Sequence, residues 1–147
     1  MTRSDADFMR RAIGLARAQK GRTGSNPAVG CVIVGPGRNV LSEAATADGG
    51  RPHAEQLALD GLKSVSAEGA VAYVTLEPCR ERSTGEDACS RRLIDAGVSK
   101  VFVSVIDLHP KGSGGKAALE AAGIEVETGL LEAEAAALYE DFFASLG

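Results

Sequence analysis

Val71-Ala-Tyr-Val-Thr-Leu76 and Val101-Phe-Val-Ser-Val-Ile106 are the two stretches that decide the fold. Both are short, apolar at nearly every position and rich in β-branched or aromatic residues, as expected of strands covered on both faces. Between them lie a polar loop and a helical stretch over residues 88–96 that stops at Gly97. A helix between two strands is a crossover connection, which makes the strands parallel. Toward the C-terminus, residues 115–122 predict a short helix ending at Gly123, and Ile124-Glu-Val-Glu-Thr128 a last strand. The tail from Leu131 to Leu146 predicts one Ala-rich amphipathic helix. Toward the N-terminus, Ser4 followed by Asp7 resembles a capping box at the head of a helix over residues 5–20. The turn-rich segment Gly21–Pro27 ends it. Val29-Gly-Cys-Val-Ile-Val34, closed by Gly35-Pro-Gly37 and followed by Val40-Leu41, then reads as an antiparallel hairpin. Pro52 sits where a helix over residues 53–62 could begin. The order is close to αββαβαβαα, an α/β architecture with helices on both faces of a five-stranded mixed sheet.

With 147 residues, the chain is expected to form a single domain spanning 1–147. It is 44% hydrophobic and 24% charged, an ordinary globular balance that excludes disordered and collagen-like classes. No apolar run approaches the roughly 20 residues that span a bilayer. The first 20 residues carry Arg3, Asp5, Asp7, Arg10, Arg11, Arg17 and Lys20 with no apolar core of a signal peptide. No membrane partner and a cytoplasmic location are the expectation. A net charge of −4 argues against a dedicated nucleic-acid binder, although Arg80, Arg82, Arg91 and Arg92 could form a local basic patch. Three cysteines are an odd number, and in a cytosolic chain such residues serve more often as metal ligands or catalytic groups than as bridges.

Three features carry chemistry: His53-Ala54-Glu55 at a helix start, Pro78-Cys79 just after a strand, and Cys89 at the next helix. One imidazole and two thiolates make three protein ligands for zinc, leaving the fourth tetrahedral position for water. Zinc lowers the pKa of such a water toward about 7. Glu55, two residues past the candidate ligand His53, is then a non-ligating general acid/base. H-x-E followed by P-C-x-x-C is the signature of zinc deaminases, and here its second half is stretched to P-C-x9-C, with nine residues between Cys79 and Cys89. Cys31, inside an apolar strand, reads as a small buried hydrophobe. Glu77 reads equally as a structural carboxylate capping nearby backbone amides. His109, before Pro110, divides evenly between substrate contact and plain exposure.

With these residues in view, the sequence resembles the deaminase domain of riboflavin-biosynthesis enzymes, within the three-layer α/β/α cytidine-deaminase-like zinc fold. The matching segments are Gly21-Arg-Thr-Gly-Ser-Asn-Pro-Ala-Val-Gly-Cys-Val-Ile-Val34, Gly50-Arg-Pro-His-Ala-Glu55, Ala72-Tyr-Val-Thr-Leu-Glu-Pro-Cys79 and Ala122-Gly-Ile-Glu-Val126. The resemblance runs from about residue 8 to residue 143. It implies zinc as cofactor on His53, Cys79 and Cys89, with Glu55 shuttling protons and Asn26 hydrogen-bonding the substrate ring. It implies a small-molecule substrate, a diaminopyrimidine ribosyl phosphate that loses an exocyclic amine as ammonia, and a homodimer. Many relatives continue into a reductase domain, whereas this chain is expected to stand alone and leave any reduction to a separate reductase. Lys111-Gly-Ser-Gly-Gly115 is too short for a dinucleotide fingerprint and reads as a strand-to-helix turn.

The chain departs from the family in the loops that line the pocket. The paired histidines usual after the first cysteine are replaced by Arg80 and Arg82 around Glu81, a family histidine is replaced by Thr46, and the usual D-x-N-P becomes Asp107-Leu-His-Pro110. Arg80, Arg82 or Lys111 could meet a substrate phosphate in charge-assisted contact. Other readings are a deaminase of a different nucleoside, base or secondary metabolite, an RNA-editing deaminase, and a catalytically silent zinc-binding interaction module.

Overall fold

The computed structural model describes residues 4–24, 27–63, 65–77, 89–106 and 115–140. The first helix, α1 (Asp5–Gln19), begins as its sequence dictates: the Ser4 hydroxyl accepts from the Asp7 amide and the Asp7 carboxylate accepts from the Ser4 amide. Acidic Asp5 and Asp7 in the first turn and Arg17 in the last complement the helix dipole. Phe8, Met9, Ala12, Ile13 and Ala16 form its buried face.

Five strands follow: β1 (Gly30–Val34), β2 (Val40–Ala45), β3 (Val71–Leu76), β4 (Lys100–Val105) and β5 (Glu125–Thr128). They lie in the order β2-β1-β3-β4-β5, with β1 antiparallel to both β2 and β3 while β3, β4 and β5 run parallel. The remaining helices are α2 (Ala54–Asp60), α3 (Cys89–Ala96), α4 (Gly115–Ala121) and α5 (Glu132–Ala136). The expected five-stranded mixed sheet is therefore present, with β5 between α4 and α5 where the Ile124–Thr128 run predicts a last strand.

Successive residues of β2 separate the two faces of the sheet. Glu43 pairs with Arg11 of α1, while a side chain at Gly61, just past α2, would press on Ser42. On the α1 face, Tyr73 of β3 lies between Phe8 and Phe102, with ring centroids 5.3 and 4.9 Å away. The Tyr73 hydroxyl donates to Asp5, which also accepts from Arg38. The central strands β1, β3 and β4 are buried almost throughout, as continuous apolar runs require when both faces are covered. At Gly30 the approach of α1 is so close that a Cβ would lie 1.9 Å from the Ala12 carbonyl oxygen. Only glycine fits there.

Two expectations change. Pro52 does not open α2: the Arg51–Pro52 peptide is cis and the helix starts at Ala54 with His53 as its N-cap. The tail is not one helix over Leu131–Leu146 in its described part. After α5 the backbone tightens into i→i−3 turns, Leu138 to Ala135 and Tyr139 to Ala136, which carries the Tyr139 ring into the core. Residues 141–147 lie outside the described residues. Among the described residues no helix is long and apolar enough to cross a membrane.

Candidate metal centre

The amino ends of α2 and α3 meet, with α2 packed against β1, β2 and α3. His53 is the N-cap of α2, with extended backbone (φ −72°, ψ 158°) and no side-chain bond to the helix end. Its imidazole is directed instead at α3, where Nδ1 lies 3.4 Å from the Cys89 sulfur. Cys89 is fully buried at the first position of α3. Zinc–nitrogen and zinc–sulfur bonds of about 2.0 and 2.3 Å at a tetrahedral angle put the two donor atoms roughly 3.5 Å apart. The observed separation fits that geometry. A cysteine at a helix start also sits in the positive end of the dipole, which favours the thiolate that a metal needs.

The third expected ligand, Cys79, lies outside the described residues, as do the expected substrate contacts Asn26, Arg80, Arg82 and His109. Among the described residues no group of three His, Cys, Asp or Glu side chains gathers, so the site there consists of His53 and Cys89.

Glu55 is in the first turn of α2, 3% exposed. Its charge reaches the Cys31 thiol of β1, which is held above its ordinary range first by burial and then by the negative Glu55. Cys31 is thus a neutral, fully buried thiol, in keeping with its place in an apolar strand. Its neighbourhood with Glu55 was missed from the sequence. The period-two alternation of β1 could have supplied it, because Gly30 meets α1 and Cys31 must therefore point toward the opposite face.

Glu77, at the end of β3, is 6% exposed and accepts a 2.9 Å hydrogen bond from the Lys116 amide at the start of α4. That is the structural cap allowed for it from the sequence. Of the turn expected at Lys111–Gly115, Gly115 opens α4 and residues 111–114 lie outside the described residues. Thr46 is 1% exposed, and its hydroxyl accepts from the Val29 amide at 3.0 Å. It staples the loop after β2 to the entry of β1. Of the suspected basic patch, Arg91 pairs with Asp95 at 3.2 Å within α3, and the buried Arg92 Nε has no hydrogen-bond partner among the described residues.

An imidazole and a thiol at ligand spacing, with a buried carboxylate two residues past the imidazole, are a donor set suited to a metal ion. Comparison with known proteins points to the same chemistry. The riboflavin biosynthesis protein RibD of Aquifex aeolicus is 41% identical over 140 residues, covering 95% of this chain and 38% of that protein. The chain thus spans under two fifths of that relative's length. The structure of a diaminohydroxyphosphoribosylaminopyrimidine deaminase/reductase of Thermotoga maritima superposes with a TM-score of 0.89 at 36% identity, over 95% of this chain and 40% of that one. The Rib2 deaminase of Aspergillus oryzae, solved with DARIPP, gives 0.72 at 25% identity, over 96% of this chain and 97% of that one. Residues 2–105 match the family described as the cytidine and deoxycytidylate deaminase zinc-binding region. The paired His53 and Cys89, the buried Glu55 and the strand order around them are accounted for together: the chain belongs to the zinc-binding cytidine and deoxycytidylate deaminase family.

Proposed function

We propose that this chain is a hydrolytic deaminase acting on the diaminopyrimidine ribosyl phosphate of riboflavin biosynthesis. The observation that carries the reading is the 3.4 Å pairing of His53 Nδ1 with Cys89 Sγ beside the buried Glu55. The likeness to riboflavin-pathway relatives over 95% of the chain supports the choice of substrate.

His53, Cys89 and Cys79 would hold the zinc. When bound, zinc supplies a water acidic enough to attack carbon near neutral pH. The Glu55 carboxylate, as general base, receives a proton from that water as the new carbon–oxygen bond forms. Glu55 then delivers the proton to the exocyclic nitrogen as the carbon–nitrogen bond breaks, and ammonia leaves. One water is consumed: its first proton leaves with ammonia, its second passes from the new hydroxyl to the adjacent ring nitrogen, and a carbonyl replaces the amine. Burial of Glu55 keeps bulk water from short-circuiting this transfer. The neutral thiol of Cys31 behind it adds no second negative charge. The Glu55 backbone amide, on the oxygen side, would steady the developing charge. Asn26 would hold the ring, and Arg80, Arg82 and His109 the rest of the nucleotide. The active form is a homodimer, and a reductase activity takes the product.

Ammonia release by the zinc-loaded protein tests this, with cytidine, adenosine and guanine run beside the diaminopyrimidine phosphate. Turnover of the diaminopyrimidine alone is expected. Zinc bound with turnover of another ring, which the altered segment between Cys79 and Cys89 would favour, overturns the substrate. Zinc bound with no turnover of any ring makes the chain a silent zinc module.

A further inference from the structure

The backbone ladder between β1 and β3 runs from Val34 opposite Val71 to Cys31 opposite Val74, and there it stops. The next residue on each strand is joined through a side chain: the Gly30 amide donates to Thr75 Oγ1 at 3.0 Å. Tyr139, from the turn after α5, donates its single hydroxyl proton to the Ala28 carbonyl at 2.8 Å. The 2.6 Å contact between Thr75 Oγ1 and Tyr139 Oη must then have threonine as the donor. The result is a directed chain from the Gly30 N–H through the Thr75 and Tyr139 hydroxyls to the Ala28 C=O. It starts and ends on backbone groups two residues apart in β1 and its approach. Thr75 and Tyr139 are both 0% exposed, so removing one hydroxyl strands buried partners that water cannot reach.

The place of this network gives it a second meaning. Ala28 is two residues past Asn26, while Thr75 is two before Glu77 and four before Cys79. Thr75 lies on the sheet face of Tyr73 and α1, opposite the face where Cys31 neighbours Glu55. We propose that Tyr139, acting with Thr75, is a positioning residue that sets the spacing of β1 and β3 where they open toward the metal centre. The proposal rests on the deaminase reading above. Tyr139 touches none of His53, Glu55 or Cys89 through these bonds and acts through the two strands.

Tyr139→Phe keeps the ring and removes one oxygen. In that variant the KM for the diaminopyrimidine phosphate is expected to rise about tenfold, with kcat falling less, because strand ends out of place weaken binding before chemistry. Zinc loss to a chelator is expected to run several-fold faster than in the unaltered protein. Thr75→Val should match both effects, and the double variant should add little, since either change cuts the same chain. A network that only stabilises the fold would lower the melting midpoint yet leave KM, kcat per bound zinc and zinc-loss rate unchanged, and that result overturns the proposal. If the unaltered protein does not turn over the pyrimidine, the substrate reading falls while the zinc-loss comparison decides the role of Tyr139.

Discussion

Replacing Gly30 with alanine asks α1 and the sheet to occupy the same space. The new Cβ would stand 1.9 Å from the Ala12 carbonyl oxygen, 2.8 Å from its carbon and 3.2 Å from the Ala16 nitrogen. All three are helix backbone, so no side chain can swing aside. Relief requires α1 to retreat by about 1 Å, and a gap of that size forfeits roughly a quarter to a half of the dispersion well at each contact. Phe8, Met9 and Ile13 lose those contacts together, each at most 1% exposed. Full burial of such a side chain is worth about 1.5–3 kcal/mol. The summed loss is then on the order of 3 kcal/mol, at the upper end of what overpacking costs. With a urea slope of about 1–3 kcal/mol per molar, the midpoint falls by roughly 1 M or more. Gly14→Ala is the control on the same helix: Gly14 is exposed and a Cβ there meets nothing within 4 Å. That change should stabilise by about 0.5–1 kcal/mol. A Gly30→Ala protein within about 0.5 kcal/mol of the original in urea titration, well under the usual overpacking cost, would refute this packing argument.

Other consequences are open to measurement. Glu55→Gln should lower kcat by about 10²–10⁴ while zinc analysis shows the metal retained, since the carboxylate is proposed to move protons and not to ligate. Cys31 should resist iodoacetamide in the native protein at mildly alkaline pH and react once urea unfolds the chain, because burial and Glu55 hold its thiol protonated. Mass mapping of the labelled cysteines reads this directly. The Tyr73 hydroxyl first, against the opposing effect of burial, and then Arg38 hold Asp5 below the ordinary value of 3.8. Its ionised form thus stabilises the fold fully above that pH, and the contribution is lost as pH falls through the lower folded value. Asp5→Asn should therefore flatten the acid limb of a stability–pH profile, and an unchanged limb would contradict the assignment.

Much of this architecture is legible in local sequence. Ser4 and Asp7 announce the start of α1 because a capping box needs only three residues of spacing. The runs at Val71 and Val101 give two parallel strands because burial on both faces leaves no charged position and the helix between them is a crossover. His53 and Cys89 are recognisable from residue type and motif, yet their approach to 3.4 Å depends on α2 and α3 packing side by side. What escapes the sequence is set by partners far along the chain. Nothing near Gly30 announces that Ala12 will press on it. Ala-rich spacing makes residues 131–146 look like one helix, whereas the pull of Tyr139 toward Thr75 and Ala28 turns the backbone instead. Cys31 looks like filler until the alternation of β1 sets it beside Glu55.

The hydroxyl chain at the end of β1 also bears on the order of folding. Ala28 and Tyr139 are separated by 111 residues, a far longer closure than any hairpin or crossover in the sheet. Long closures are slow because their entropy must be spent before the contact forms. During synthesis, α1 through β4 can emerge and pair while residue 139 is still inside the ribosome. The ends of β1 and β3 joined by this chain are then the last part of the domain to become rigid, and a chain cut short of Tyr139 would keep its ladders while leaving those ends loose.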